Sequence, residues 1–217
     1  MSHRAEETGR GRQEAPAPGA FAERLFREVR ERQSALVVGL DPVLDRLPEE
    51  LRREAVAGAR GESAAPAERA AAAICRFLEG VLAAVSESAV AVKPNLAFFE
   101  RYGAAGYSCL EEVCSLARGL GLLVIADAKR GDIGSTAEAY ADALLGDLPG
   151  TLGPLVDAVT VNPYLGSDSL EPFLRRAKEG GRGVFVLVRT SNASAAEIQD
   201  LDCGGEALYL KVARLSG

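Results

Sequence analysis

Residues Leu122 to Asp142 read "LLVIADAKRGDIGSTAEAYAD". An apolar run ends in Asp127, Lys129, Arg130 and Asp132, and a glycine and a helix-like tail follow. Strand side chains alternate with a period of two, so Asp127 and Lys129 are expected on one face and Ala128 on the other. Gly134 then supplies a turn, and Ser135 or Thr136 is the expected helix cap. Arg130 is expected to point to solvent.

Four further runs share the pattern of a near-continuous apolar core closed by polar residues. They are "ALVVGLD" (35–41), "AVAVKPN" (89–95), "DAVTVNPY" (157–164) and "GVFVLVRTS" (183–191), with "LLVIADAK" (122–129) between them. Strands covered on both faces read this way, which predicts a parallel sheet with helical crossovers. Helical patterns fall at 21–32, 67–86, 106–120, 135–146, 168–180 and 205–215. In the second of these, Ile74, Phe77, Leu78, Val81, Leu82 and Val85 recur near a 3.6 period. Residues 52–66, polar and rich in Gly and Ala, read as a loop. The order is a repeated β/α unit, an α/β fold. A doubly wound sheet needs about five strands and a (β/α)₈ barrel needs eight. No GxGxxG follows any strand and no GxxxxGK[ST] occurs, which weakens the nucleotide-binding doubly wound form.

Composition narrows the chemistry. The chain has 217 residues, 47% hydrophobic and 26% charged, enough for one sizeable core. A formal net charge of −6 gives no sign of a general nucleic-acid binder, and no apolar run is long enough to span a membrane. Residues 1–20 mix acids and bases with Pro and Gly and read as a disordered tail ahead of a domain over 21–217. Four cysteines, none in a CxxC pair, are expected as reduced structural thiols of a cytoplasmic protein. The one histidine, His3, lies in the tail, so Ser-His-Asp chemistry and a histidine zinc site are excluded. Acid–base work falls to Asp, Glu, Lys or Tyr.

The polar residues gather at the carboxyl ends of the strands: Asp41, then Lys93 and Asn95, then Asp127 and Lys129, then Asn162 and Tyr164, then Thr190, Ser191 and Asn192. Ligands of parallel α/β folds sit there. Lys93 ends the strand before Asp127 and is expected beside it. The set Lys93, Asp127, Lys129 and Asp132 alternates in sign. An ion-pair network pinning strand ends would use the same residues. In a functional network, negative neighbours keep Lys129 protonated, which suits a general acid and not a Schiff base.

"DAKRGDIGST" resembles the Asp-x-Lys-x-x-Asp-Ile-x-x-Thr signature of the orotidine 5′-phosphate decarboxylase family. "LVVGLDP", "VKPNLAFFERYGAAGY", "VTVNPYLG" and "VFVLVRTSN" are similar to the family's strand ends, in its bacterial long-form branch, in order from about residue 35 to 200. The resemblance implies a (β/α)₈ barrel, a homodimer, and no metal or organic cofactor. It implies decarboxylation of orotidine 5′-monophosphate to uridine 5′-monophosphate, the last step of pyrimidine nucleotide synthesis. By motif position, Lys129 protonates C6, Asp127 sits against the substrate carboxylate, and Lys93 holds the charges and contacts the ribose. Asp132, Ile133 and Thr136 enter the partner's site in trans. Asp41 binds a ribose hydroxyl, Ser191 contacts the pyrimidine, and Asn95 joins the substrate-binding set.

The matches stop after about five β/α units, before the Gly-rich loop and the arginine that would grip the 5′-phosphate. The chain is therefore expected to be a C-terminally incomplete piece with little or no activity alone. Two other readings share the residues. A Mg²⁺-dependent sugar-phosphate lyase of the same superfamily needs an acid at the second strand end, where this chain has Lys93, Pro94 and Asn95. A non-catalytic dimerising remnant keeps the interface without the phosphate grip.

Overall fold

All five apolar runs form strands, and they lie in the sheet in the order in which they occur in the chain. In this computed structural model, which describes residues 19–57, 64–147 and 154–216, β1 (Leu36–Leu40), β2 (Ala89–Pro94), β3 (Leu123–Arg130), β4 (Ala158–Val161) and β5 (Gly183–Val186) are parallel in the order β1-β2-β3-β4-β5. A doubly wound sheet reverses direction at a switch point. This one never does, so the crossovers wind one way, as in a barrel. The fold is five β/α units of a (β/α)₈ barrel. The expected tail falls, apart from Gly19 and Ala20, outside the described residues, and His3 with it.

The crossovers are α2 (Glu49–Ala57) and α3 (Pro66–Val85) after β1, α4 (Ala97–Glu100) and α5 (Gly103–Gly119) after β2, α6 (Gly134–Leu145) after β3 and α7 (Ser167–Glu179) after β4. α1 (Phe21–Arg32) leads in, and α8 (Ala196–Gln199) and α9 (Leu208–Ser216) follow β5. The outer face of the sheet carries the main core, where Val92, Val124, Ala126 and Val159 meet Ile74, Leu78, Leu110, Val113 and Phe173 of the helices. Cys75, Cys109 and Cys114 are buried there as free thiols. A hydrogen bond with Cys109, then burial, pushes the Cys75 thiol up, and burial pushes Cys114 up to about 12. Such thiols are poor nucleophiles.

The inner face holds a second, smaller cluster. Leu123, Ile125 and Ala158 pack against Phe21 of α1. The Phe21 ring meets Phe185 of β5 edge-on, with centroids 5.9 Å apart. Asp157 fixes α1 beneath the strands. One carboxylate oxygen takes the Arg24 guanidinium at 2.7 Å, with Arg182 at 3.6 Å, and the other accepts the Val124 amide at 2.9 Å. α1 thus closes the amino ends of the strands with an apolar plug and leaves the carboxyl ends open.

Four details depart from the sequence reading. Residues 49–57 are helical where 52–66 read as loop; Leu51 and Ala55 of α2 pack on the core, and 58–63 lie outside the described residues. β5 ends at Val186, because Arg189, Thr190 and Asn192 turn to partners in their own loop. α6 starts at Gly134 with extended Ile133 as its cap residue and no side-chain cap, so neither Ser135 nor Thr136 caps it. Full cover on both faces fails at the edges. Val37 of β1 and Phe185 of β5 are 41% and 42% exposed, since each edge strand has one neighbour.

Candidate active site

The inner face changes character along the strands, from the Phe21 plug to a charged cluster at the carboxyl ends. Its centre is Asp127 of β3, 9% exposed. A buried carboxylate needs compensation, and two lysines supply it. Lys93 of β2 places Nζ 2.6 Å from Oδ2, and Lys129 places its ammonium on Oδ1. Burial pushes the Asp127 carboxyl up, but hydrogen bonds and charge from Lys129 and Lys93 outweigh it and hold the group below its ordinary value. Asp127 is therefore an anion at neutral pH, clasped from both sides.

Asp127 and Lys129 do meet, but not by regular alternation. The pairing of β3 with β4 runs from Ala126–Val159 to Arg130–Val161, so four residues of β3 are matched by two of β4. Within this bulge Lys129 takes φ = 47°, in the left-handed region. That conformation costs a non-glycine residue on the order of 1–3 kcal/mol and persists only where surroundings enforce it. Thr160 of β4 lies opposite. Its Oγ1 accepts the amides of Ala128 and Lys129 at 3.0 and 2.9 Å and donates to Asp127 Oδ1 at 3.2 Å. Thr160 carries no signal of this role in the sequence, because a threonine in "DAVTVNPY" reads as an ordinary strand former.

Arg130 is half-buried, not in solvent as its place in the sequence suggests. Its guanidinium pairs with Glu100 of α4 and lies 5.5 Å over the Tyr140 ring of α6. The ion pair ties the segment after β2 to the end of β3, so the strand bearing Lys93 and the strand bearing Lys129 are held together twice.

The remaining candidates separate into two groups. Asn95 bridges Asp127 through the backbone, and its Oδ1 accepts the Ala97 amide at 3.4 Å, a turn contact. Asp41 is exposed at the end of β1, on the sheet face that carries Lys93 and Asp127. Asp132 does not join the three charges: its Oδ1 accepts the Ile133 amide at 2.8 Å, and it is in no ion pair among the described residues. Ile133 and Thr136 are exposed. Ser191 is exposed in the loop after β5, beside Thr190, whose amide and hydroxyl are both held by Gln199. Asn162 accepts the Tyr164 amide at 3.0 Å. The cavity of about 570 Å³ bordered by Ala20, Arg176 and Arg182 lies at the amino ends, remote from this cluster. Among the described residues no group of three or more His, Cys, Asp or Glu side chains is placed to hold a metal ion, and no helix is long and apolar enough to cross a membrane.

Fold and site together define a β/α-barrel protein whose polar chemistry is a lysine–aspartate–lysine set at the carboxyl ends of β2 and β3. Known proteins place it further. The model of the orotidine 5′-phosphate decarboxylase / HUMPS family matches residues 34–216, and the chain belongs to that family. An orotidine 5′-phosphate decarboxylase of Rhodopirellula baltica is 45% identical over 196 residues, 90% of this chain and 63% of that protein. One from Roseiflexus castenholzii is 44% identical over 197 residues, 90% of this chain and 62% of its own length. The solved OMP decarboxylase of Leishmania donovani superposes with a TM-score of 0.69 at 36% identity, covering 89% of this chain and 63% of that one. The chain spans a little over three-fifths of the length of these relatives.

Proposed function

We propose that the strand-end cluster decarboxylates orotidine 5′-monophosphate to uridine 5′-monophosphate and CO₂, the final step of pyrimidine nucleotide synthesis. The observation that carries the reading is Asp127 held as an anion between the ammonium groups of Lys93 and Lys129. A substrate carboxylate placed against Asp127 is repelled, and departure of CO₂ relieves the repulsion. As the bond from C6 to the carboxylate breaks, its electron pair stays on C6. The ammonium of Lys129 stabilises that charge and then transfers a proton to C6, leaving a neutral amine that water reprotonates. Lys93 keeps Asp127 charged and in place while Lys129 acts, and contacts the ribose. No metal or organic cofactor takes part. A Mg²⁺-dependent lyase is disfavoured by charge: both oxygens of Asp127 already face cations, which would repel a third.

We assign Asp41 to a ribose hydroxyl, Ser191 to the pyrimidine and Asn95 to the edge of the substrate site. Asp132, Ile133 and Thr136 serve the site of a second copy in a homodimer, a reading supported by the exposure of Ile133 and Thr136 and by the absence, among the described residues, of an ion pair between Asp132 and its own chain's charges. A cytoplasmic location accords with four free cysteines.

The test is loss of orotidine 5′-monophosphate absorbance with the purified chain and with Lys129→Ala. A low rate, still above the uncatalysed background, is expected from the chain alone, and it drops by about 10²-fold or more in the variant. Equal rates from the two chains overturn the reading.

A further inference from the structure

The bulge in β3 leaves two amides without ladder partners and puts Lys129 in a conformation that an L-residue does not adopt unaided. One hydroxyl resolves both. A threonine hydroxyl has two acceptor positions and one proton to donate, and Thr160 uses all three: it accepts from Ala128 and Lys129 and donates to Asp127. We propose that Thr160 is a positioning residue for Lys129, its hydroxyl holding the left-handed turn that folds the lysine back onto Asp127. The inference rests on the decarboxylase reading for its consequence, though not for its geometry.

The side chain of Lys129 is half-exposed, and its hydrogen bond is to Asp127. A lysine has four rotatable bonds and loses considerable entropy when its head is fixed. Its direction is therefore set by where the backbone aims Cβ and by the carboxylate that receives Nζ. Thr160 touches both determinants: two hydrogen bonds fix the backbone, and a third fixes Asp127 Oδ1, the oxygen that Lys129 engages. Lys93 engages the other oxygen and has no such support from β4. The hydroxyl thus acts on the Lys129 side of the clasp.

Thr160→Val and Thr160→Ser in the full chain separate the hydroxyl from the shape. Valine matches the volume, and serine keeps the hydroxyl. Three readouts apply: amide hydrogen exchange at Ala128 and Lys129, NMR titration of the Asp127 carboxyl, and kcat and KM for orotidine 5′-monophosphate. In Thr160→Val the two amides are expected to exchange about five- to tenfold faster. The Asp127 titration moves toward the ordinary carboxylate range, and kcat falls about tenfold or more with KM changed less than about twofold. Thr160→Ser restores all three. Unchanged exchange and titration in Thr160→Val overturn the inference, as does a serine variant that behaves like valine. Absence of turnover in wild type and variants alike bears on the activity of this chain and not on Thr160. Exchange and titration then still decide whether Thr160 holds Lys129.

Discussion

At the scale of single residues, the charge on Asp127 governs the rest. Its carboxyl is depressed in the folded chain, so its ionised form is favoured by folding. The resulting stability is fully present above the unfolded-state value of about 3.9. It is lost as pH falls through the lower, folded value. Urea midpoints measured from neutral pH downward are expected to hold until about pH 4 and then drop, and the contribution of Asp127 to that drop is absent in Asp127→Asn. The same variant leaves the ammonium groups of Lys93 and Lys129 facing each other across a neutral amide. Turnover of orotidine 5′-monophosphate in Asp127→Asn is expected to fall by about 10²-fold or more. An activity loss below tenfold would remove Asp127 from the chemistry. The identity of these charged residues was legible in the sequence, since acids and bases ending an apolar run are visible by inspection. Their arrangement was not. Period-two alternation predicts the right neighbours for the wrong reason, because Lys129 reaches Asp127 from a bulge. A bulge is decided by the partner strand, and β4 lies some thirty residues further along the chain.

At the scale of elements, α1 is held to the sheet by contacts with strict steric and electrostatic requirements. A Cβ on Gly183 would lie 2.5 Å from a ring carbon of Phe21 and 3.0 Å from Ala158 Cβ. Gly183→Ala must push the ring off β5, and overpacking of this kind costs about 1–3 kcal/mol, readable as a lowered urea midpoint. Asp157→Asn removes the carboxylate from the Arg24 and Arg182 guanidiniums, both largely buried. Breaking such a partly buried cluster is expected to cost about 3 kcal/mol. Both substitutions lie at the amino ends of the strands, so the Asp127 titration should persist in whatever fraction remains folded. The elements themselves were largely readable, because runs buried on both faces and 3.6-period helices leave strong patterns. α2 escaped because it shows the core little beyond Leu51 and Ala55 and runs into Gly- and Ala-rich sequence. The end of β5 was overread because Leu187 and Val188 continue an apolar run that backbone pairing abandons after Leu187.

At the scale of the whole molecule, one question is whether a site is completed by a second copy. Lys93, Asp127 and Lys129 converge within one chain, whereas Asp132 turns to the Ile133 amide among exposed neighbours. A carboxylate three residues beyond the lysine, on the turn into α6, is close in sequence yet makes no ion pair with the lysine's own cluster among the described residues. If it serves a partner's site, the two functions can be separated and recombined. Lys129→Ala and Asp132→Ala are each expected to lose most turnover when expressed alone. In a mixed dimer, one site receives Lys129 from one chain and Asp132 from the other, and the second site receives neither. Random mixing makes about half the dimers mixed, so roughly a quarter of all sites are intact in a closed two-fold dimer. Coexpression should therefore restore about a quarter of the wild-type rate. Recovery no greater than the sum of the two variants would show that Asp132 acts within its own chain, and would move it back among the charges that pin the turn into α6.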